Sequence, residues 1–220
     1  MSPPVALPAW LEPVRDVAAT MTVQMLSKHA PAPPPGARES AVLMLFGETN
    51  GEPDLLFTER SHEMRSHPGQ VSFPGGGSEP GDDGPAGTAL REAAEEVGIL
   101  SSGVLVFGEL PPLWVPPSNH AVTTVLGWWH EPHDVVAVDP GEVAAVLRVP
   151  VVELMDPANR FMVRHPSGWM GPAFDVGDDL VLWGFTAGVV ARLLEAVGWE
   201  QPWDQSRVRG VPTGAAGRLA

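Results

Sequence analysis

Apolar residues along the chain form short runs between polar or Gly/Pro-rich segments, a pattern typical of β-strands. Such runs predict strands at 41–46, 54–59, 70–73, 104–110, 121–129, 144–149 and 161–165. The first two runs flank Asn50-Gly51, a pair that favours positive φ and therefore predicts a hairpin turn. After the third run, Gly75–Gly77 predicts a flexible corner.

Helical periodicity is strongest between Ala86 and Val97. The apolar positions recur there at intervals of four, three and four residues, and they are Ala86, Leu90, Ala93 and Val97. Gly98 follows where a left-handed helix cap is expected. A second amphipathic helix is predicted at Trp183–Val197 and a short one at Trp10–Leu26. Strands in the middle with helices on either side predict an α/β fold, a mixed sheet in an α/β/α sandwich.

Three parts of the chain are distinguished by composition. Residues 1–36 are predicted to be a helix and a Pro-rich linker, because Pro31–Gly36 breaks regular structure. Residues 37–200 form the predicted main domain. Residues 201–220 have few apolar anchors and predict a mobile tail, in which Arg207, Arg209 and Arg218 are expected to be solvated and not functional.

Charge and composition exclude several classes of protein. With 13 basic and 27 acidic side chains, the net charge of −14 disfavours nucleic-acid binding. Cysteine is absent, so disulfides and thiol chemistry are excluded. No apolar run approaches the roughly 20 residues of a membrane span, and the N-terminus does not resemble a signal peptide. These features predict a cytoplasmic protein with no membrane partner, and they leave a homodimer open.

The candidate chemistry lies on the predicted helix at 86–97. Glu92, Glu95 and Glu96 share a face turned away from the apolar positions, at spacings where like charges repel. Arg91 can pair with Glu95 but cannot neutralise three carboxylates. Clustered hard oxygen ligands suit Mg²⁺ or Mn²⁺.

An ordinary solvated acidic helix face would produce the same three glutamates. Two neighbouring features favour a cation site instead. Gly75–Gly77 allows backbone to approach a ligand closely. The loop that follows adds the further carboxylates Glu79, Asp82 and Asp83.

Arg91-Glu92, Glu95-Glu96 and Gly98-Ile99, behind a Gly-Gly corner, resemble the Nudix box. The resemblance implies a pyrophosphohydrolase with a Nudix-type fold whose metal is held by Glu92, Glu95 and Glu96, with Arg91 orienting a carboxylate of its own helix. The family carries a Glu in the loop before the helix, where this chain has Asp. Counting back from Arg91 selects Asp83, and counting from the corner selects Asp82.

Upstream, residues 56–76 resemble the signature of the coenzyme A pyrophosphatase branch. The positions at the family spacing are Thr58, Arg60, Ser61, Arg65, Gly69 and the corner Phe73-Pro74-Gly75-Gly76. Resemblance extends over roughly residues 40–198. It implies hydrolysis of coenzyme A (CoA) or acyl-CoA to 3′,5′-ADP and 4′-phosphopantetheine or its acyl form. The implied substrate-binding residues are Arg60, Ser61, Arg65, Gly75 and Gly76.

Several alternatives stay open at this point. Arg60 and Arg65 are also placed to form surface ion pairs with Glu59 or Glu63. The branch often carries a further Glu where Ala145 stands, which leaves Glu142 as the candidate late-chain carboxylate and general base. The substrate could be another nucleoside diphosphate, such as ADP-ribose or NADH, or the domain could be a non-catalytic binding module.

Overall fold

The computed structural model describes residues 5–27, 31–64 and 67–212. Its α-helices are α1 Glu12–Ala18, α2 Val23–Leu26, α3 Gly84–Val97, α4 Val151–Met155 and α5 Gly184–Val197. Its strands are β1 Arg38–Thr49, β2 Glu52–Arg60, β3 Val71–Ser72, β4 Gly75–Gly77, β5 Val104–Glu109, β6 Leu113–Val115, β7 His120–Trp129, β8 Val143–Pro150, β9 Arg160–Arg164, β10 Met170–Asp175, β11 Val181–Leu182 and β12 Val208–Gly210. No helix among these residues is both long and apolar enough to cross a membrane.

The central sheet has eight strands and mixed polarity. β1 and β2 form the predicted antiparallel hairpin, and Asn50 and Gly51 both have positive φ, at 54° and 83°. On its other edge β1 runs parallel to β7, which pairs antiparallel with β5 and β6. The mixed sheet predicted from the sequence is therefore confirmed.

Beyond the hairpin, β1 and β2 separate and two short strands occupy the gap. β3 pairs with β2 at Thr58 and Glu59, whereas β4 pairs with the first half of β1. β8 lies along the outer edge of β2. The prediction of a flexible corner at Gly75–Gly77 is wrong, because this segment is a hydrogen-bonded strand against β1.

Helices cover both faces of the sheet, as expected for an α/β/α sandwich. Alternate residues of β1 point to opposite faces, as strand geometry requires. Leu43 and Leu45 pack under α3, while Met44 and Phe46 pack against the layer that contains α1 and α5. Each such fully buried side chain contributes roughly 1.5–3 kcal/mol to folding, so both layers stabilise the sheet.

The N-terminal segment differs from the predicted single helix. A 3₁₀ turn at Ala9–Leu11 leads into α1, and α2 begins separately where the Thr22 hydroxyl accepts a hydrogen bond from the Met25 N–H. Leu11 and Val14 are fully buried in the same core as α5. The described part of this segment is thus packed into the main domain.

The C-terminal segment also differs from its prediction. β12 adds in parallel to β9 and completes a second, four-stranded sheet of order β11-β10-β9-β12. Arg207 donates to the Ala158 carbonyl and Arg209 pairs with Asp175. The prediction of a mobile tail is therefore wrong at β12. The Arg209 side chain is 47% exposed, as predicted, and Arg207 is half-buried. Residues 213–220 lie outside the described part.

Candidate active site

The three glutamates of α3 have different surroundings. Glu96 is buried, and its Oε2 accepts a hydrogen bond from the Gly75 N–H at 3.1 Å. Glu92 lies against Gly76 and is largely covered, whereas the side chain of Glu95 is 59% exposed. The helix ends at Gly98 with φ 76°, which confirms the predicted left-handed cap.

Residues 75 and 76 must be glycine because neighbouring atoms leave no space for a Cβ at either position. A Cβ on Gly75 would lie 2.4 Å from the carbonyl oxygen of Ala41 in β1. A Cβ on Gly76 would lie 2.4–2.7 Å from the carboxyl atoms of Glu92. The structure therefore brings Gly75 and Gly76, predicted from the sequence as site residues, into direct contact with two of the glutamates.

Arg91 is fully engaged inside the protein. Its Nε and Nη2 donate to the two oxygens of Asp82, and Nη2 also donates to the Gly77 carbonyl. Its Nη1 donates to Glu92 and to Glu95, both at 3.1 Å. All five N–H donors of the guanidinium are thus used. This geometry makes Arg91 a positioning residue for two glutamates and leaves it no donor for a substrate.

Asp82 is the loop carboxylate that supports α3. Hydrogen bonds from Arg91, from the Glu79 N–H and from the Thr88 hydroxyl hold the pKa of Asp82 well below its usual range. Asp83 precedes the helix and makes no side-chain cap hydrogen bond. Of the two candidate loop carboxylates, Asp82 is therefore the one whose side chain contacts α3. The sequence assigned Thr88 no role, although it lies one turn before Arg91, and the structure shows that its hydroxyl supports Asp82.

Burial shapes the electrostatics of the glutamates. Loss of solvation raises the pKa of Glu96 to about 7, although the Gly75 N–H and Arg60 act in the opposite direction. Burial also raises the pKa of Glu92, and Arg91 opposes this. Carboxylates pushed towards their neutral forms by burial are sites where a cation would restore the charged form.

The donor set fits a magnesium-like ion. Mg²⁺ is usually held by one or two carboxylates, several waters and substrate phosphates. Within the described residues, no group of three His, Asp or Glu side chains is already arranged as a metal cage. Nη1 of Arg91 holds one oxygen each of Glu92 and Glu95, and the second oxygen of each carboxylate accepts no hydrogen bond from Arg91.

Arg60 and Glu142 lie beside the glutamate helix. Arg60 ends β2, and its charge lowers the pKa of Glu96, whereas Glu142 raises it. The Nε of Arg60 is buried without a hydrogen-bond partner, and the residue forms no ion pair in the described part of the chain. Glu59 pairs with His62 instead, at 2.9 Å. The described geometry gives no support for a surface ion pair at Arg60.

Ser61 connects the end of β2, which carries Arg60, to the segment that carries Glu142. Its N–H donates to the Glu142 carbonyl at 2.8 Å, and its buried hydroxyl accepts from the Glu63 N–H. This geometry gives Ser61 the role of shaping the loop after β2. Arg65, the other predicted anion-binding residue, lies outside the described residues.

Gly76 provides a direct test of the close packing around Glu92. We expect Gly76→Ala to displace the Glu92 carboxylate and weaken Mn²⁺ binding roughly 10- to 100-fold, the scale seen when groups that support metal ligands are lost. Titration calorimetry with Mn²⁺ measures this. Gly77→Ala is the matched control, because a Cβ there meets nothing within 4 Å. Equal Mn²⁺ affinity in the two variants would contradict the assignment of Glu92.

An α/β/α sandwich with a row of glutamates on a helix above a Gly-Gly corner defines the class of Nudix hydrolases. The family model described as the NUDIX domain matches residues 37–167. The chain belongs to this family and is a pyrophosphohydrolase. Nudix hydrolases generally use divalent metal cations.

Relatives agree with this assignment. The chain is 36% identical to the uncharacterized Nudix hydrolase NudL of Yersinia enterocolitica, over 66% of this chain and 75% of that protein. It is 35% identical to NudL of Photorhabdus laumondii, over 75% and 91% of the two chains. The crystal structure of the M. smegmatis Nudix hydrolase RenU aligns with a TM-score of 0.52 at 20% identity, covering 77% of this chain and 91% of that one, and supports the fold.

Proposed function

We propose that the protein hydrolyses the diphosphate of coenzyme A or an acyl-CoA, with Mg²⁺ or Mn²⁺ as cofactor. The products would be 3′,5′-ADP and 4′-phosphopantetheine or its acyl form. The proposal is supported by the signature at residues 56–76, which leads through β3 directly into the corner beneath Glu92 and Glu96.

Each group of the site has a part in this reaction. Glu92, Glu95 and Glu96 would hold the metal, which when bound would clamp the diphosphate and acidify a water for attack on phosphorus. Arg91 orients Glu92 and Glu95 through Nη1.

Glu142 is our candidate for the base that accepts the proton of the water. It is exposed, and it is close enough to Glu96 to raise the pKa of that buried group. An exposed carboxylate at this position can exchange its proton with solvent after each turnover.

The structural observation that supports an anionic diphosphate substrate is the guanidinium of Arg60. A partly buried arginine with no ion pair among the described residues, next to a site for an anionic substrate, is suited to bind phosphate. The protein is strongly acidic, with a net charge of −14, so such a cation must offset repulsion of the substrate locally.

Arg60→Ala tests this role. We expect kcat/KM for CoA to fall by one to two decades, because a lost charged hydrogen bond is worth roughly 1.5–3 kcal/mol. Arg192→Ala is the control, since that arginine lies on α5 and pairs with Glu195. Including 3′-dephospho-CoA shows whether Arg60 binds the 3′-phosphate, in which case the loss disappears for that substrate, or the diphosphate, in which case it persists. Normal hydrolysis of CoA by the variant would contradict the role of Arg60.

A further inference from the structure

Three of the most exposed apolar side chains lie on two segments that are hydrogen-bonded to each other or to the C-terminal end of α3. Leu100, Val136 and Val138 are 61%, 68% and 56% exposed. We call these three residues the apolar strip. The Val138 N–H donates to the Glu96 carbonyl at 3.0 Å, and the Leu100 N–H donates to His133 of the same loop. The strip is therefore fixed to the last turn of the helix that carries the glutamates.

The loop that carries the strip presents apolar side chains in both directions. Val135 and Ala137 pack against the core under α3, while the alternate residues Val136 and Val138 point outward. An ordinary surface segment with this alternation carries polar residues at its outward positions. Three exposed apolar side chains near a site are a candidate contact for an apolar group of the substrate.

The size of the strip and the charge around it restrict what it contacts. A stable protein interface needs roughly 20–30 residues on each side, far more than three side chains. The same loop, residues 130–142, contains no Lys or Arg but has four exposed acidic residues, Glu131, Asp134, Asp139 and Glu142. These carboxylates repel anionic lipid surfaces and free fatty acids. A single neutral alkyl chain, delivered as part of the substrate, fits both restrictions.

We propose that the apolar strip binds the acyl chain of an acyl-CoA substrate while its diphosphate lies at Glu92, Glu95 and Glu96. This inference rests on the proposed function and extends it to specificity. A fully buried methylene contributes about 4-fold to binding. An open strip covers one side of the chain, so roughly 2-fold per methylene is expected.

The test is the dependence of kcat/KM on acyl length for CoA, acetyl-CoA, butyryl-CoA and hexanoyl-CoA. In the wild type, kcat/KM should rise roughly 16-fold from acetyl- to hexanoyl-CoA, which is the 2-fold gain over four methylenes. In the double variant Val136→Ser/Val138→Ser this rise should disappear. Val152→Ser, at an equally exposed valine on α4, should retain it. Each variant is normalised to its own rate on CoA, so a general loss of catalysis does not mimic the loss of the rise.

Two results would overturn the inference while leaving CoA hydrolysis intact. One is an unchanged rise in the double variant. The other is a wild-type kcat/KM that does not change with acyl length. If light scattering then shows a dimer that the double variant abolishes, the apolar strip contacts a second copy of the chain. Hydrolysis of ADP-ribose with none of CoA or its thioesters would instead reject the proposed function itself.

Discussion

Glu96→Gln is expected to lower the rate of metal-dependent hydrolysis by several orders of magnitude while the fold stays intact. Gln retains an oxygen that accepts the Gly75 N–H, so the contact between α3 and the corner survives. It loses the negative charge that a divalent ion requires. Glu95→Gln should show a similar loss, because Glu95 is the most exposed of the three and the most accessible to an ion. Steady-state rates with Mg²⁺ and with Mn²⁺ measure both effects.

Glu96→Gln should also make the metal-free protein more stable at neutral and higher pH. Glu96 has a folded pKa of about 7 against an ordinary value of 4.5, so folding favours its neutral form. That contribution is fully present below pH 4.5 and is lost as the pH rises through 7. A shift of about two and a half pKa units corresponds to roughly 3 kcal/mol of unfolding free energy. Above pH 7, Glu96→Gln should raise the unfolding free energy by about this amount.

Thermal unfolding in EDTA at pH 4.5 and pH 8 checks this pH dependence. The exposed Glu109 on β5 provides the control, and Glu109→Gln should change neither rate nor stability. Full activity of both the Glu95 and Glu96 variants, or of the wild type in excess EDTA, would reject the metal assignment.

Glu200→Ala is expected to destabilise the protein by about 3–5 kcal/mol, the cost of leaving a buried charge without its partner. Arg160 is 1% exposed and lies between the rings of Phe174 and Trp203. Its Nη1 donates to Glu200 at 2.6 Å, and the Trp203 indole N–H donates to the same oxygen. Removing that carboxylate leaves the guanidinium in a poorly solvated site, where burial already lowers the pKa of Arg160.

Urea unfolding of Glu200→Ala and of Glu195→Ala gives the comparison. Glu195 forms an exposed ion pair with Arg192 on α5, and such pairs contribute about 0–1 kcal/mol. A midpoint shift confined to the Glu200 variant would show that residues 200–210 are part of the folded domain. Equal, small shifts in both variants would contradict a structural role for the Arg160–Glu200 pair.

The local sequence pattern was sufficient to predict the elements of the fold that are set by short-range features. The apolar periodicity at 86–97 and the cap residue Gly98 predicted α3. The turn residues Asn50-Gly51 predicted the β1–β2 hairpin. Both predictions succeeded because helix faces and turn residues are short-range features. β12 and the docking of Arg160 depend on partners 40 or more residues away. No local composition signal reports such pairing, so the C-terminal segment appeared mobile from its sequence.

The candidate site, too, was predictable from the sequence only where it depends on short-range spacing. Three glutamates on one helix face follow from spacing alone. The choice between Asp82 and Asp83 needed the path of the loop, which brings Asp82 to Arg91 and Thr88. The paired strand at Gly75–Gly77 was missed because three glycines give no strand signal, and their register comes from β1.

An internal competition assay tests the central claim most directly. Equal concentrations of CoA and ADP-ribose in one reaction with Mg²⁺ yield products whose initial ratio equals the ratio of the two kcat/KM values. Our account predicts that 3′,5′-ADP and 4′-phosphopantetheine accumulate faster than AMP and ribose 5-phosphate. Faster consumption of ADP-ribose, with CoA left intact, would contradict it.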